Sequence, residues 1–150
     1  MFRKVYGLFF FIVTVAFMLS ACGAPAAQAI SIEGQWGRPS PKVALAGVFY
    51  MTIHNNGADA DKLISVQSTA CGTTELHESF MDANGVMGMR PVSNGSIEIP
   101  AGGAVELKAG GLHIMCINKL ADFTSGAKLP LALKFEKFGD ISIEVAIREQ

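Results

Sequence analysis

The chain is predicted to be all-β, an antiparallel sandwich or barrel. Short segments of alternating apolar and polar residues recur along it, turn signals fall about every eight to twelve residues, and helical periodicity of useful length is lacking. At 150 residues, half of them apolar, it has one domain's worth of chain and enough apolar surface for a real core.

The elements follow in order. Ile30, Ile32, Gly34 and Trp36 alternate with Ser31, Glu33 and Gln35, which predicts a first strand with Trp36 in the core. Arg38-Pro-Ser-Pro41 breaks it. Val43 to His54 is rich in aromatic and β-branched residues and ends at Asn55-Asn56-Gly57, so its second half is expected to be a central strand, with Met51 in the core. Leu63 to Val66 opens the next strand. Thr73 to Phe80 then places Glu75, His77 and Ser79 on one face and Leu76 and Phe80 on the other. Asp82 to Gly85 turns the chain into Val86 to Val92, and Asn94-Gly95 predicts a hairpin into Ser96 to Ile99. Val105 and Leu107 alternate after the Pro100 to Gly103 turn, and Ala109-Gly110-Gly111 leads into Leu112 to Lys119. A last strand pair, LPLALKFEKF and Ile141 to Ile147, meets at Gly139-Asp140.

Not all of the hydrophobicity belongs to this fold. Arg3 and Lys4, the uncharged run Val5 to Leu19 and the closing Leu19-Ser20-Ala21-Cys22 read as a secretory signal over residues 1–21. Those last four residues resemble the lipobox of bacterial lipoproteins, in which the cysteine is acylated. Cys22 is therefore the expected lipidation site, residues 22–30 a lipid-anchored tether, and residues 31–150 the domain. The expected location is extracytoplasmic, on a bacterial membrane held through the anchor only. Of 12 basic and 13 acidic residues, cleavage removes Arg3 and Lys4 and no acid, leaving a formal charge of −3. A weakly acidic domain without basic runs offers no footprint for nucleic acid. No nucleophile elbow, phosphate-binding glycine loop or HExxH is present, so an enzyme is not expected.

The chemistry-bearing residues gather between His77 and Cys116. Met87 and Met89, and again His113 and Met115, stand two apart and present both members on one side of a strand. Two imidazoles with thioethers and no thiolate make a soft donor set that suits Cu(I) far better than magnesium or calcium. The alternative is a methionine-filled core with two hydrogen-bonded surface histidines. Glu75 and Glu78, which flank His77, could orient its ring or face solvent, and solvent is the expected side.

From Trp36 to about Arg148 the sequence resembles the PCuAC periplasmic copper chaperones, in the segments FYMTIHNNGADADKLI, TELHE, GVMGMRPV, IEIPAGGAVELKAGGLHIM and the closing strand pair. The resemblance implies a Greek-key β-sandwich of cupredoxin-like fold. It also implies Cu(I) as cargo and, as partner, a copper-accepting protein such as cytochrome c oxidase subunit II or an assembly chaperone, the chain itself acting as a monomer. The family's pattern is a His, a Met about ten residues on, and His-x-Met about twenty-one further. It falls on His77, Met89, His113 and Met115, with Met87 as substitute and Met81 as auxiliary. Eleven residues separate His77 from Met89 and twenty-three separate Met89 from His113. Both surpluses fall in turns, at Asp82 to Gly85 and Ser93 to Ser96, where added residues leave flanking strands in place.

Once Cys22 is acylated, Cys71 and Cys116 remain, and in an oxidising compartment two such cysteines bridge. The alternative is a pair of buried free thiols. An electron-transfer cupredoxin would need a cysteine ligand, and Cys116 points away from His113 and Met115 on a regular strand. A metal-free structural or adhesive lipoprotein on the same scaffold is the remaining alternative.

Overall fold

The computed structural model describes residues 29–149, so the signal segment, Cys22 and most of the tether lie outside the described residues. Ten strands make up the domain: β1 (Ile30–Gly37), β2 (Ala46–Asn55), β3 (Asp61–Gln67), β4 (Cys71–Met81), β5 (Met87–Pro91), β6 (Ile97–Ile99), β7 (Ala104–Leu107), β8 (Leu112–Lys119), β9 (Lys128–Phe135) and β10 (Asp140–Ile147). No helix occurs among the described residues. The fold is the all-β sandwich that the alternation predicts.

Hydrogen bonding joins the strands in the order β5-β4-β8-β2-β1-β10-β9-β3-β6, with β7 also on β2. This order places strands distant in sequence side by side, and the strands enclose one interior. Phe49, Met51 and Ile53 of β2, Leu76 of β4 and Ile114 of β8 meet Leu63, Leu131, Leu133, Val145 and Ile147 from the other half in a single core cluster. Each contributes alternate residues to the interior, as the pleat requires. Whatever faces outward from β4, β8 and β5 is therefore free for function.

Three local expectations are corrected. The pairing is antiparallel throughout except between β1 and β10, which run parallel with Trp36 opposite Ala146. A parallel pair needs a long crossover, and here the whole intervening domain supplies it. The Asn94-Gly95 turn forms, with Gly95 N–H donating to the Val92 carbonyl, but joins no hairpin. β5 pairs with β4 while β6 pairs with β3, so the turn carries the chain from one half of the sandwich to the other. Trp36 is not in the core. Gly34 has φ of +60°, which favours glycine, and the register of β1 on β2 shifts between Glu33 and Trp36. This bulge turns Gly37 inward and sets Trp36 on the outer side against Tyr50, ring centroids 4.7 Å apart.

Buried Asp61 fastens the opposite end of the sandwich. Its carboxylate accepts from the backbone N–H groups of Lys62 at 2.7 Å, Lys137 at 2.9 Å and Phe138 at 3.0 Å. Burial pushes its pKa up, but these three donors and the Lys137 charge outweigh burial and hold it below the ordinary 3.8. A depressed carboxylate stabilises the fold above the unfolded value, and that contribution is lost as pH falls through the folded one. Asp61→Ala should therefore cost about 1.5–3 kcal/mol at neutral pH, the range for hydrogen bonds to a charged group. In urea melts the difference from wild type should narrow below pH 3.8, and a constant difference would contradict this role.

Candidate metal centre

β4 and β8 run antiparallel with His77 opposite His113 and Glu75 opposite Met115. Directly opposed side chains share a face, and since Leu76 and Ile114 take the inner one, both histidines lie on the outer face. Their ring centroids are 5.8 Å apart. On the far side of β4, Met89 of β5 stands opposite Ser79, Met87 opposite Met81, and Pro91 opposite His77. Met89 thus sits one same-face row from the histidine pair on the hairpin side, and Met115 one row away on the other. Met87 is a further two residues out, roughly 7 Å along the strand.

Each ring is held by one nitrogen. His77 Nε2 donates to Glu75 Oε2 at 2.8 Å. His113 Nδ1 donates to the Gly111 carbonyl at 2.9 Å, in a turn closed by Gly111 N–H to Lys108 and Lys108 N–H to Leu112. Gly110, φ +75°, makes that turn possible. The remaining nitrogens, Nδ1 of His77 and Nε2 of His113, are buried and have no partner. With the other nitrogen donating, each presents a bare lone pair. Buried polar atoms are almost always satisfied, and leaving one unsatisfied costs about 1–3 kcal/mol. Two on neighbouring rings tilted 57° to each other fit a bound cation, and the carboxylate and carbonyl behind them are the outer partners that ligating histidines use. His113 is only 2% exposed; desolvation lowers its pKa below 6.5, the Gly111 carbonyl partly offsets this, and the nearby His77 adds to the lowering. The buried ring is thus kept neutral, the state that binds metal.

A cleft of about 180 Å³ opens beside the pair, walled by Arg38, Tyr50, Ser79, Met87, Met89 and His113 among others. Met81, Met87 and Met89 are exposed, so these three are not core methionines, whereas Met51 is. Cys71 and Cys116 are joined as a disulfide, Cα atoms 5.4 Å apart, on the inner side of β4 and β8. Among the described residues that leaves no thiolate for a blue-copper set. Among the described residues no three of His, Cys, Asp and Glu are placed to hold a metal ion, so further donors to the two imidazoles would be thioethers.

The expectation that Glu75 and Glu78 both face solvent fails for Glu75, which orients His77. The two-residue spacing on one strand face was the available signal. Glu78 lies on the other face and pairs with Arg90 at 2.8 Å. Arg38, Tyr50 and the Gly111 carbonyl were not anticipated, because only folding brings the first two to the cleft and the last is backbone.

The architecture and this face define a cupredoxin-like sandwich bearing a thiolate-free imidazole pair flanked by thioethers. The chain belongs to the LpqE-like family, whose model, described as "Putative lipoprotein LpqE-like", matches residues 30–147. It is 28% identical over 97 residues to "Putative lipoprotein Lxx21020" of Leifsonia xyli subsp. xyli (strain CTCB07), a match covering 65% of this chain and 57% of that protein. The chain therefore spans somewhat over half of that relative's length. Among solved structures it is similar to the apo PCuAC domain from PmoF1, with TM-score 0.69, 24% identity, and coverage of 81% of this chain and 95% of that one. The copper-bound PCuAC domain from PmoF2 gives 0.67 at 23% identity, covering 83% and 97%. The Cu(I) form of DR1885 from Deinococcus radiodurans gives 0.64 at 21% identity, covering 87% of each chain. The fold is that of the PCuAC domains.

Proposed function

We propose that this chain is an extracytoplasmic copper chaperone that holds one Cu(I) through His77, His113, Met89 and Met115 and delivers it to an acceptor protein. The observation that carries the reading is the pair of buried, unpartnered imidazole nitrogens on neighbouring rings, each ring fixed from behind. Copper-bound PCuAC domains of the same fold support it. Met89 is preferred to Met87 because it stands one row nearer the histidines. The metal is cargo: neutral imidazoles and thioethers bind a soft monovalent ion yet release it more readily than a thiolate cage would. Exposed Met89 can yield its place to an acceptor's ligand while buried His113 still holds, so transfer proceeds by stepwise exchange. The copper centre of cytochrome c oxidase subunit II is the proposed acceptor. Residues 1–21 act as the export signal, and acylated Cys22 anchors the domain to the membrane.

Anaerobic titration against a chromophoric Cu(I) competitor should give one tightly held ion per chain and much weaker zinc binding. Zinc held as tightly as Cu(I) would end this reading. Glu75→Ala should weaken Cu(I) by roughly 10–100-fold, the usual effect of losing a ligand's outer partner. In that variant, affinity within error of wild type would remove Glu75 from the site. For the anchor, native protein should partition into detergent and Cys22→Ser should release it or block processing. A native chain that is fully soluble, with an unmodified N-terminus beyond Cys22, would refute lipidation.

A further inference from the structure

We propose that Met81, Met87 and Met89 form a second, outer site for a soft monovalent ion, a three-thioether landing point on the β4–β5 hairpin. The site itself stands on its own geometry. Its assigned task, passing Cu(I) inward through Met89, rests on the chaperone reading.

Register brings the three together. Met81 and Met87 are directly opposed across the hairpin, and Met89 is the next residue on the same face. Opposed β-carbons lie about 4.5–5.5 Å apart, so flexible thioether side chains from the three positions can meet around one ion. Their exposures are 65%, 63% and 62%, and Val86 beside them is 62% exposed, so neither the core nor another of the described elements covers them. A cluster of large apolar side chains left in water marks a binding surface.

The other face of the same hairpin is closed. Phe80 lies against Gly88, where an added Cβ would come within 2.7 Å of its ring, and Arg90 covers that ring at 4.8 Å while pairing with Glu78. The ribbon thus has a braced back and an open front of sulfur. Thioethers are soft and carry neither charge nor proton, so they take Cu(I) or Ag(I) and leave magnesium, calcium and zinc alone. Met87 and Met89 also wall the cleft that reaches His113, which makes the route inward continuous.

The test uses the whole protein, purified in detergent, with 13C-labelled methionine methyl groups and anaerobic Cu(I) as probe. In a His77→Ala, His113→Ala variant, shown folded by its β-sheet circular dichroism, the methyl signals of Met81, Met87 and Met89 should shift together. One Cu(I) should bind, roughly a hundredfold or more weaker than in wild type, since losing even an outer partner costs 10–100-fold. Adding Met81→Leu and Met87→Leu should abolish this residual binding. With both histidines present, the same leucine pair should keep tight one-to-one binding but slow copper uptake from a small thiolate complex. Met81 and Met87 methyls that do not move, or residual binding that survives the leucine pair, would overturn the outer site. Shifting outer methyls in a wild-type protein that shows no tight ion would uphold the outer site and overturn the chaperone reading.

Discussion

Replacing His113 and Met115 together by alanine should lower Cu(I) affinity by well over a hundredfold, since loss of a single outer partner already costs roughly 10–100-fold and here two donors go. Ile114→Ala should do the reverse. Ile114 is fully buried on the opposite face, so its truncation should cost about 2–5 kcal/mol of stability and leave copper binding in the folded protein unchanged. Competitive Cu(I) titration alongside urea melts separates the two, and unchanged affinity in the double variant would move the metal elsewhere. Acid adds a sign. Imidazole must be neutral to ligate and thioether does not titrate, so affinity should fall in acid as the buried His113 ring takes up a proton. Burial first of all places the His113 value below 6.5. The unfolded chain therefore takes up that proton first, and the metal-free domain should lose stability as pH falls through 6.5 toward the folded value. His113→Ala should remove that part of the slope.

Removing the disulfide should have the second large effect. Cys71 and Cys116 are 45 residues apart, and the chain-entropy estimate for a loop of that size is about 4 kcal/mol, within the roughly 2–5 kcal/mol that native bridges contribute. Cys71→Ala with Cys116→Ala should lower the urea midpoint accordingly, and reduction should mimic it. Copper affinity of the folded fraction should hold, because the continuous β4–β8 ladder from Thr73 to Glu78 fixes His77 opposite His113 independently of the bridge. Thiol labelling of the unreduced, denatured domain provides the direct check: two reactive cysteines would remove the bridge and the predicted loss with it.

What was legible in the sequence was whatever depends on alternation. The strands carrying His77, Met87, Met89, His113 and Met115 could be placed because a period of two fixes which residues share a face, and the resemblance to the PCuAC chaperones tied them together. What was not legible depends on tertiary choices that leave no local trace. Asn94-Gly95 is a hairpin signal, yet β5 and β6 part because their partners, β4 and β3, belong to different halves of the sandwich. Trp36 looks like a core residue until Gly34 inserts a bulge and reverses the phase of β1. Glu75 could equally face water or His77, and only the rotamer decides.

β5 ends the hydrogen-bonded order, so among the described residues one edge of it lacks a strand neighbour. An apolar edge of that kind is a template on which further copies of a chain can stack into fibres. This one is blunted: it is five residues long, ends at Pro91, which has no N–H to offer, and carries the charge of Arg90. Two of the exposed methionines sit on this strand, and its poor fitness as a template is what allows sulfur to remain open to metal without drawing in another β-edge.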